Sequence, residues 1–290
     1  MSQSSKNIKI VLFATLVFGA ACIWYLLWQT EHRQLLTVAF LDVGQGDAIF
    51  IEAPNGNQVI VDGGPDGSIL AELGRVMPFY DKHIDMLLVT NPDLDHYGGF
   101  IDVMEQYAVA AILLPGTHSE TPTYAAFAGT IQEHHIPSLV VAQGMRFVLD
   151  AKREIFLDIL FPNQDVSKWK SNDGSTIAKL TYGTASILLT GDSTMRTEQI
   201  VMRDFMPEVL HADILKVGHH GSKTSTSEAF LKAVAPTTAI ISAGRDNRYG
   251  LPKQEILDRL KNGNILTLIT AAEGTIVVRS DGKSFWRTDE

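Results

Sequence analysis

The chain has 290 residues, 45% of them apolar and 20% charged, with a formal net charge of −9. That composition excludes a disordered polymer and allows one large folded domain or two small ones. The acidic balance argues against a protein that coats nucleic acid through bulk charge, although a local basic groove is compatible with it. The single cysteine, Cys22, excludes an intramolecular disulfide and a thiolate-rich zinc site, so any metal must be held by His, Asp or Asn.

Residues 1–9 read as a short cytoplasmic segment and residues 10–28 as a transmembrane helix, because an uncharged run of that length covers a bilayer core at about 1.5 Å per residue. Trp24, Tyr25 and Trp28 cluster at its C-terminal end like an interfacial aromatic belt. Lys6 and Lys9 precede the run, and Glu31, His32 and Arg33 follow it. This bias favours a single-pass protein of the cell membrane with an extracytoplasmic C-terminal domain. A cleaved signal peptide is the competing reading. Residues 29–35 form a linker, and residues 36–290 show no low-complexity tract, charge block or repeat, which predicts one domain.

Within that domain, short strands are predicted at 38–41, 48–52 and 58–61, with Pro54-Asn55-Gly56 as a hairpin turn. Helical spacing follows at 69–76, a buried strand at 86–89, and a helix from about 100 to 107, with Gly98-Gly99 as the turn between them. Strands at 111–114, 138–141, 146–148 and 156–161 surround a helix at 123–134. The second half repeats the rhythm, with strands at 176–182, 186–190, 213–217, 238–242, 266–269 and 274–279 and helices at 195–203, 227–233 and 253–260. Two β-rich halves with flanking helices predict a layered α/β sandwich rather than a barrel.

Polar residues gather where strands end. Asp93, Asp95 and His96 follow the strand at 86–89, Asp192 follows an apolar run ending in Thr190-Gly191, and His219-His220 follow Val217-Gly218. A carboxylate buried after a strand needs a cation or strong donors nearby. Asp192 with Asp93, Asp95, His96 and one of His219 or His220 would make an oxygen-rich site that suits Mn²⁺ or Zn²⁺.

Seven blocks in order carry a resemblance: Phe40 to Ala48, Val61-Asp62-Gly63-Gly64, Asp93 to Gly99, Asn172-Asp173-Gly174-Ser175, Leu188 to Asp192, Lys216 to Lys223 and Asn247-Arg248-Tyr249-Gly250. Together they resemble the metallo-β-lactamase domain of ComEC-type DNA-uptake competence proteins over nearly all of residues 38–286. The resemblance implies a four-layer αβ/βα sandwich, here preceded by one transmembrane helix, and a metal-dependent hydrolase site at the sheet edges. It matches Asp95 and His96 to ligands of one metal, Asp192 to a bridging carboxylate, and His219 or His220 to the remaining histidine. Asn91 stands where the family's block usually opens with His, Asp93 where a second His is usual, and Asn172 or Asp173 where a third is usual. One well-held ion is therefore expected, with a second bound weakly or only with substrate.

The expected function is a metal-dependent phosphodiesterase or nuclease serving DNA uptake, in which a metal-bound hydroxide attacks a phosphodiester. Asp93 or Asp95 would orient or deprotonate the water, and Lys223, beside Ser222, would hold a phosphate oxygen. Asp42, Gln45 and Asp47 are read as the loop bordering the site and Asp62 as a group that fixes ligand orientation. Asn91, Asn172, Ser222 and Tyr249 complete the surrounding set. The expected partners are single-stranded DNA, a separate membrane channel protein and the membrane itself. Two alternatives stand beside this reading: a catalytically weakened module that binds DNA or a channel partner, and a metallo-hydrolase of another ester.

Overall fold

The structure is a computed structural model that describes residues 3–32 and 35–288, with the side chains of residues 3–6, 8 and 26–32 outside the description. Two β-sheets lie face to face. The first runs, edge to edge, Phe285–Thr288, Ile276–Ser280, Leu36–Phe40, Ala48–Glu52, Gln58–Gly63, Met86–Leu88, Ile112–Leu114 and Ser138–Val140. The second runs Leu266–Ile269, Thr238–Ile241, Ile214–Lys216, Ala185–Leu189, Ile177–Tyr182, Ile155–Phe161 and Arg146–Asp150. Each combines an antiparallel part with a parallel part, and the parallel strands are joined by helices, as crossovers require.

Strand alternation explains the layering, since successive side chains point to opposite faces. Val38, Phe40, Ile49, Ile51, Val59 and Val61 enter one cluster with Leu157, Leu180, Ile187 and Ile240 of the other sheet. Their alternating neighbours Ala39, Phe50 and Ile60 pack outward on Phe100, Val103 and Phe127. Leu188, Leu215 and Ile241 of the second sheet pack outward on Val201, Phe230 and Ile256. The central strands of each sheet are thus buried on both faces, which gives the expected αβ/βα sandwich.

Two local expectations are corrected. The helix starts at Leu94, not near Phe100, and spans Leu94–Gln106. Gly98 and Gly99 lie inside it, so they do not turn the chain. A Cβ on Gly99 would lie 2.2 Å from the Gly63 carbonyl oxygen, and one on Gly98 2.1 Å from that of Pro65. The glycine pair instead lets the helix press against the segment after Gln58–Gly63. The sequence reading also passed over the edge strand Phe285–Thr288 and the short helices Pro207–Leu210 and Thr270–Glu273.

An N-terminal helix spans Gln3–His32. Ile10, Val11, Leu12 and Phe13 are consecutive and all more than half exposed, as are Leu16, Phe18 and Trp24. Four consecutive positions cover a full helical turn, so no face of this stretch packs on the domain. Among the described residues, no helix is long and apolar enough to cross a membrane. The expected span, residues 10–28, ends in side chains outside the description, as do Lys6, Glu31, His32 and Arg33.

Candidate metal centre

The first sheet supplies one half of the site. Asp62, the penultimate residue of the strand Gln58–Gly63, has φ +59°, a left-handed conformation that costs energy for a non-glycine residue and persists where surroundings impose it. Its Oδ1 accepts from the Thr90 backbone N–H at 2.7 Å, and its Oδ2 accepts from Thr90 Oγ1 at 2.6 Å. The same Oδ2 lies 2.8 Å from His96 Nδ1. A carboxylate can only accept, so Nδ1 of His96 carries the proton and Nε2 is directed away, to 3.3 Å from Asp192 Oδ2. Asp95, one residue earlier on the same helix, reaches the same space.

The second sheet supplies the other half. Asp192 follows the strand Ala185–Leu189 across Gly191, whose φ is +48° and whose Cβ, if present, would sit 2.5 Å from Thr90 Oγ1. Only glycine allows that approach. Asp192 is then fixed by its N–H donating to Ser175 Oγ at 3.0 Å. His219 and His220 follow the strand Ile214–Lys216 and are both left-handed, with φ +49° and +52°. His220 Nδ1 donates to the Ser242 carbonyl at 2.9 Å. That leaves its Nε2 at 3.4 Å from both Asp95 Oδ2 and Asp192 Oδ1.

His96 Nε2, His220 Nε2 and Asp192 Oδ1 are buried with no hydrogen-bond partner, a costly arrangement unless something else engages them. Their separations supply the test. Four ligands at about 2.1 Å around a tetrahedral ion stand about 3.4 Å apart. His96 Nε2 stands 3.3 Å from Asp192 Oδ2, and His220 Nε2 stands 3.4 Å from Asp192 Oδ1 and from Asp95 Oδ2, each close to the length of such an edge, with Asp192 offering a different oxygen to each imidazole. The residues fit a divalent ion. Asp95, His96 and His220 also form one of the three groups of acidic and imidazole residues close enough to share a cation among the described residues.

Charge is concentrated around this point. Burial opposes ionisation of Asp192, but His220 and His96 outweigh it and hold its carboxyl well below the usual range. Burial likewise opposes protonation of His96 and His220, yet Asp192, with Asp62 for His96 and Asp47 for His220, holds both pKa values up, that of His220 at about 10. Behind the site, Lys216 is fully buried and ion-paired with Asp47, and it donates to the Gly191 carbonyl at 3.2 Å. Asp47 Oδ1 in turn faces His220 Nδ1 at 3.3 Å. Burial pushes the Asp47 carboxyl up, but Lys216 and His220 overcome it and bring it down to about 2.

Residues 41–245 match the description of the metallo-beta-lactamase superfamily. The chain belongs to that superfamily. Its members are generally metal-dependent hydrolases. Over 83% of its length the chain is 34% identical to ComE operon protein 3 of Bacillus subtilis, covering 33% of that protein. Over 94% it is 32% identical to Recombination protein 2 of Haemophilus influenzae, covering 32% of it. The chain therefore spans about a third of the length of the curated relatives it matches. A proposed metal-dependent hydrolase from Parabacteroides distasonis superposes with a TM-score of 0.50 at 16% identity, over 81% of this chain and 93% of that one, a likeness of fold.

Where the resemblance leads one to expect further histidines, this chain has a hydrogen-bonded amide network. Asn91, fully buried, donates through Nδ2 to Asn172 Oδ1 at 2.6 Å, and its Oδ1 accepts from the Asp93 N–H at 3.1 Å. Asn172 Nδ2 meets His219 Nε2 at 3.3 Å, and His219 Nδ1 meets Thr224 Oγ1 at 3.0 Å. An amide nitrogen donates, so His219 accepts at Nε2 and is neutral; its burial, against the pull of Asp192, lowers its pKa. Asp93 accepts from Ser171 Oγ at 3.0 Å and lies outside the cation-sharing groups. Burial raises its pKa.

The remaining expected residues make contacts of their own. Gln45 accepts from the Gly244 N–H at 3.2 Å and so ties the loop before Ala48–Glu52 to the loop carrying Tyr249. Asp42 closes its own turn by accepting from the Gly44 N–H at 3.4 Å. Asp47 donates its N–H to the Asp95 carbonyl at 3.1 Å. Ser222 pairs with Thr224 at 3.0 Å, Lys223 is exposed, and half-exposed Tyr249 is held by Arg248 at 2.6 Å. Sequence reasoning missed Lys216, Thr90, Ser171 and Ser175. Lys216 had a signal: a lysine inside the apolar run Ile214-Leu215-Lys216-Val217, since lysine is almost never fully buried unless paired.

Proposed function

We propose that this chain is a membrane-anchored, metal-dependent phosphodiesterase or nuclease that serves DNA uptake. One observation carries the hydrolase reading: the unpartnered ends of His96, His220 and Asp192 converge, with Asp95, at ligand-to-ligand spacing. The resemblance to ComEC-type proteins and the relatives named ComE operon protein 3 and Recombination protein 2 support the substrate class. The exposed apolar stretch of the helix Gln3–His32 supports the anchor, because a helix apolar all round needs an apolar environment.

Asp95, His96, Asp192 and His220 would hold one Zn²⁺ or Mn²⁺. Such an ion supplies Lewis acidity, lowering the pKa of water and screening charge that develops on a phosphoryl oxygen. Asp62 and the Ser242 carbonyl hold the two imidazoles in the tautomer that frees Nε2. Half-buried Asp93 would take a proton, and exposed Lys223 would meet a phosphate oxygen. The test is hydrolysis of single-stranded DNA and of bis-p-nitrophenyl phosphate by the full chain with Mn²⁺ or Zn²⁺. Stimulation by the ion is expected, and its loss in Asp95→Ala with an unchanged circular dichroism spectrum. No turnover with either ion would overturn the reading.

The network of Asn91, Asn172 and His219 favours a second reading, a module that binds DNA or a channel partner with catalysis weakened. Asn91 donates and Asn172 accepts, so replacing one alone strands its partner. Asn91→His combined with Asn172→His is therefore the informative variant. In a working hydrolase it is expected to raise bound metal from about one to about two ions per chain and to raise turnover. Added metal without turnover would favour the binding module.

A further inference from the structure

The segment between the helix Ser68–Val76 and the strand His83–Ile84 carries a feature that the metal centre does not use. The Asp81 N–H donates to the Pro78 carbonyl at 2.9 Å, which closes a turn with Phe79 and Tyr80 at its tip. Turn tips favour Gly, Asn, Asp and Ser, whose short side chains serve the backbone or suit water. Here two large aromatic rings occupy the tip, 88% and 73% exposed, packed edge to face on each other at 5.4 Å. Asp81, at the end of the turn, is half-buried. Asp81 accepts from the His83 N–H at 3.1 Å and from Gln58 Nε2 at 2.9 Å. Beside the tip, Lys82 lies over the Tyr107 ring at 5.0 Å.

The position of this tip points to its occupant. Tyr80 and Pro78 line one cavity together with Tyr25 and Leu35. Tyr25 belongs to the C-terminal part of the apolar stretch of the helix Gln3–His32, the part that would meet headgroups if that stretch lies in lipid. Aromatic rings with a neighbouring lysine have the amphipathic character that settles at the headgroup level. We propose that the Phe79–Tyr80 turn is a second membrane contact, seated in the lipid interface beside the helix. It rests on the membrane-anchor reading, and the pair of contacts would fix the orientation of the domain on the bilayer rather than leave it free on a tether.

The chain's single cysteine makes the test direct. The full chain is placed in phosphatidylcholine–phosphatidylglycerol nanodiscs with an environment-sensitive fluorophore on native Cys22, or on Phe79→Cys or Tyr80→Cys in a Cys22→Ser background. Blue-shifted emission, quenched by doxyl-lipid and shielded from aqueous iodide, is expected at all three positions. Lipid quenching at Cys22 with iodide quenching at both 79 and 80 would overturn the second contact and leave the anchor standing. Lipid quenching at 79 and 80 but not at Cys22 would overturn the anchor and with it the paired contact beside the helix. Iodide quenching everywhere would overturn both.

Discussion

His220→Ala is expected to strip the centre of its metal. His220 Nε2 is buried and 3.4 Å from each of Asp95 and Asp192, so its removal opens two of the three measured edges at once. Bound Zn²⁺ or Mn²⁺ should fall from about one ion per chain to near zero in dialysed protein, and hydrolysis by about 10³-fold or more, the several kcal/mol that a metal contributes. Asp62→Asn provides the comparison. Asp62 touches His96 Nδ1 and not the shared space, so its loss should weaken metal affinity only by the roughly 10–100-fold typical of a residue that orients a ligand. Competition with a chromogenic chelator measures both. Equal effects of the two variants would refute the distinction between ligand and orienting group.

Lys216→Met is expected to destabilise the domain more than any surface substitution. It removes the ammonium from a fully buried pair and leaves Asp47, 1% exposed, facing the interior without its cation. Breaking such a pair costs about 3–5 kcal/mol, or roughly 10 °C in Tm for a domain of this size. Metal-free protein isolates this term from any change at the ion. The pH dependence follows from Asp47. Its carboxyl, held down to about 2, contributes stability that is present above its unfolded pKa of about 4 and is lost as pH falls toward 2. Without Lys216 that carboxyl rises, so the deficit of the variant should be largest near neutral pH and shrink as acid protonates Asp47. Asp47→Asn added to Lys216→Met should recover much of the loss. Urea unfolding of the four proteins of this cycle measures the coupling, and additivity would show that the pair is not an interacting unit.

Much of the fold was legible because strand alternation and helical spacing leave marks along the chain. Ala48–Glu52 and Leu266–Ile269 were read with the bounds the structure gives them; turn residues close the first on both sides, and Gly263-Asn264 precede the second. The helix after Met86–Leu88 was misplaced at its start because its first turn is polar; residues that gather around a cation disrupt the apolar period that betrays a helix. Gly98 and Gly99 misled for a related reason: composition shows a glycine, but not whether it serves a bend or a close approach.

At the site, the residue types pointed to a metal, while the partition of roles waited on geometry. His219 and His220 are neighbours with the same side chain, and only the left-handed backbone at both decides that His220 turns inward, 2% exposed, while His219 stays a quarter exposed beside Asn172. Asn91 and Asn172 could be read as substitutions one at a time. That they answer each other, amide to amide over 81 positions of sequence, is a tertiary fact.

Asp95 and His96 come from the layer pair built on the first sheet, and Asp192 and His220 from the pair built on the second. An ion held by them would act as a rivet through the seam of the sandwich. Whatever its chemistry, it stabilises the closed arrangement by mass action, in proportion to the logarithm of its concentration over its Kd, so a change in metal supply would act on the persistence of the domain as well as on its turnover.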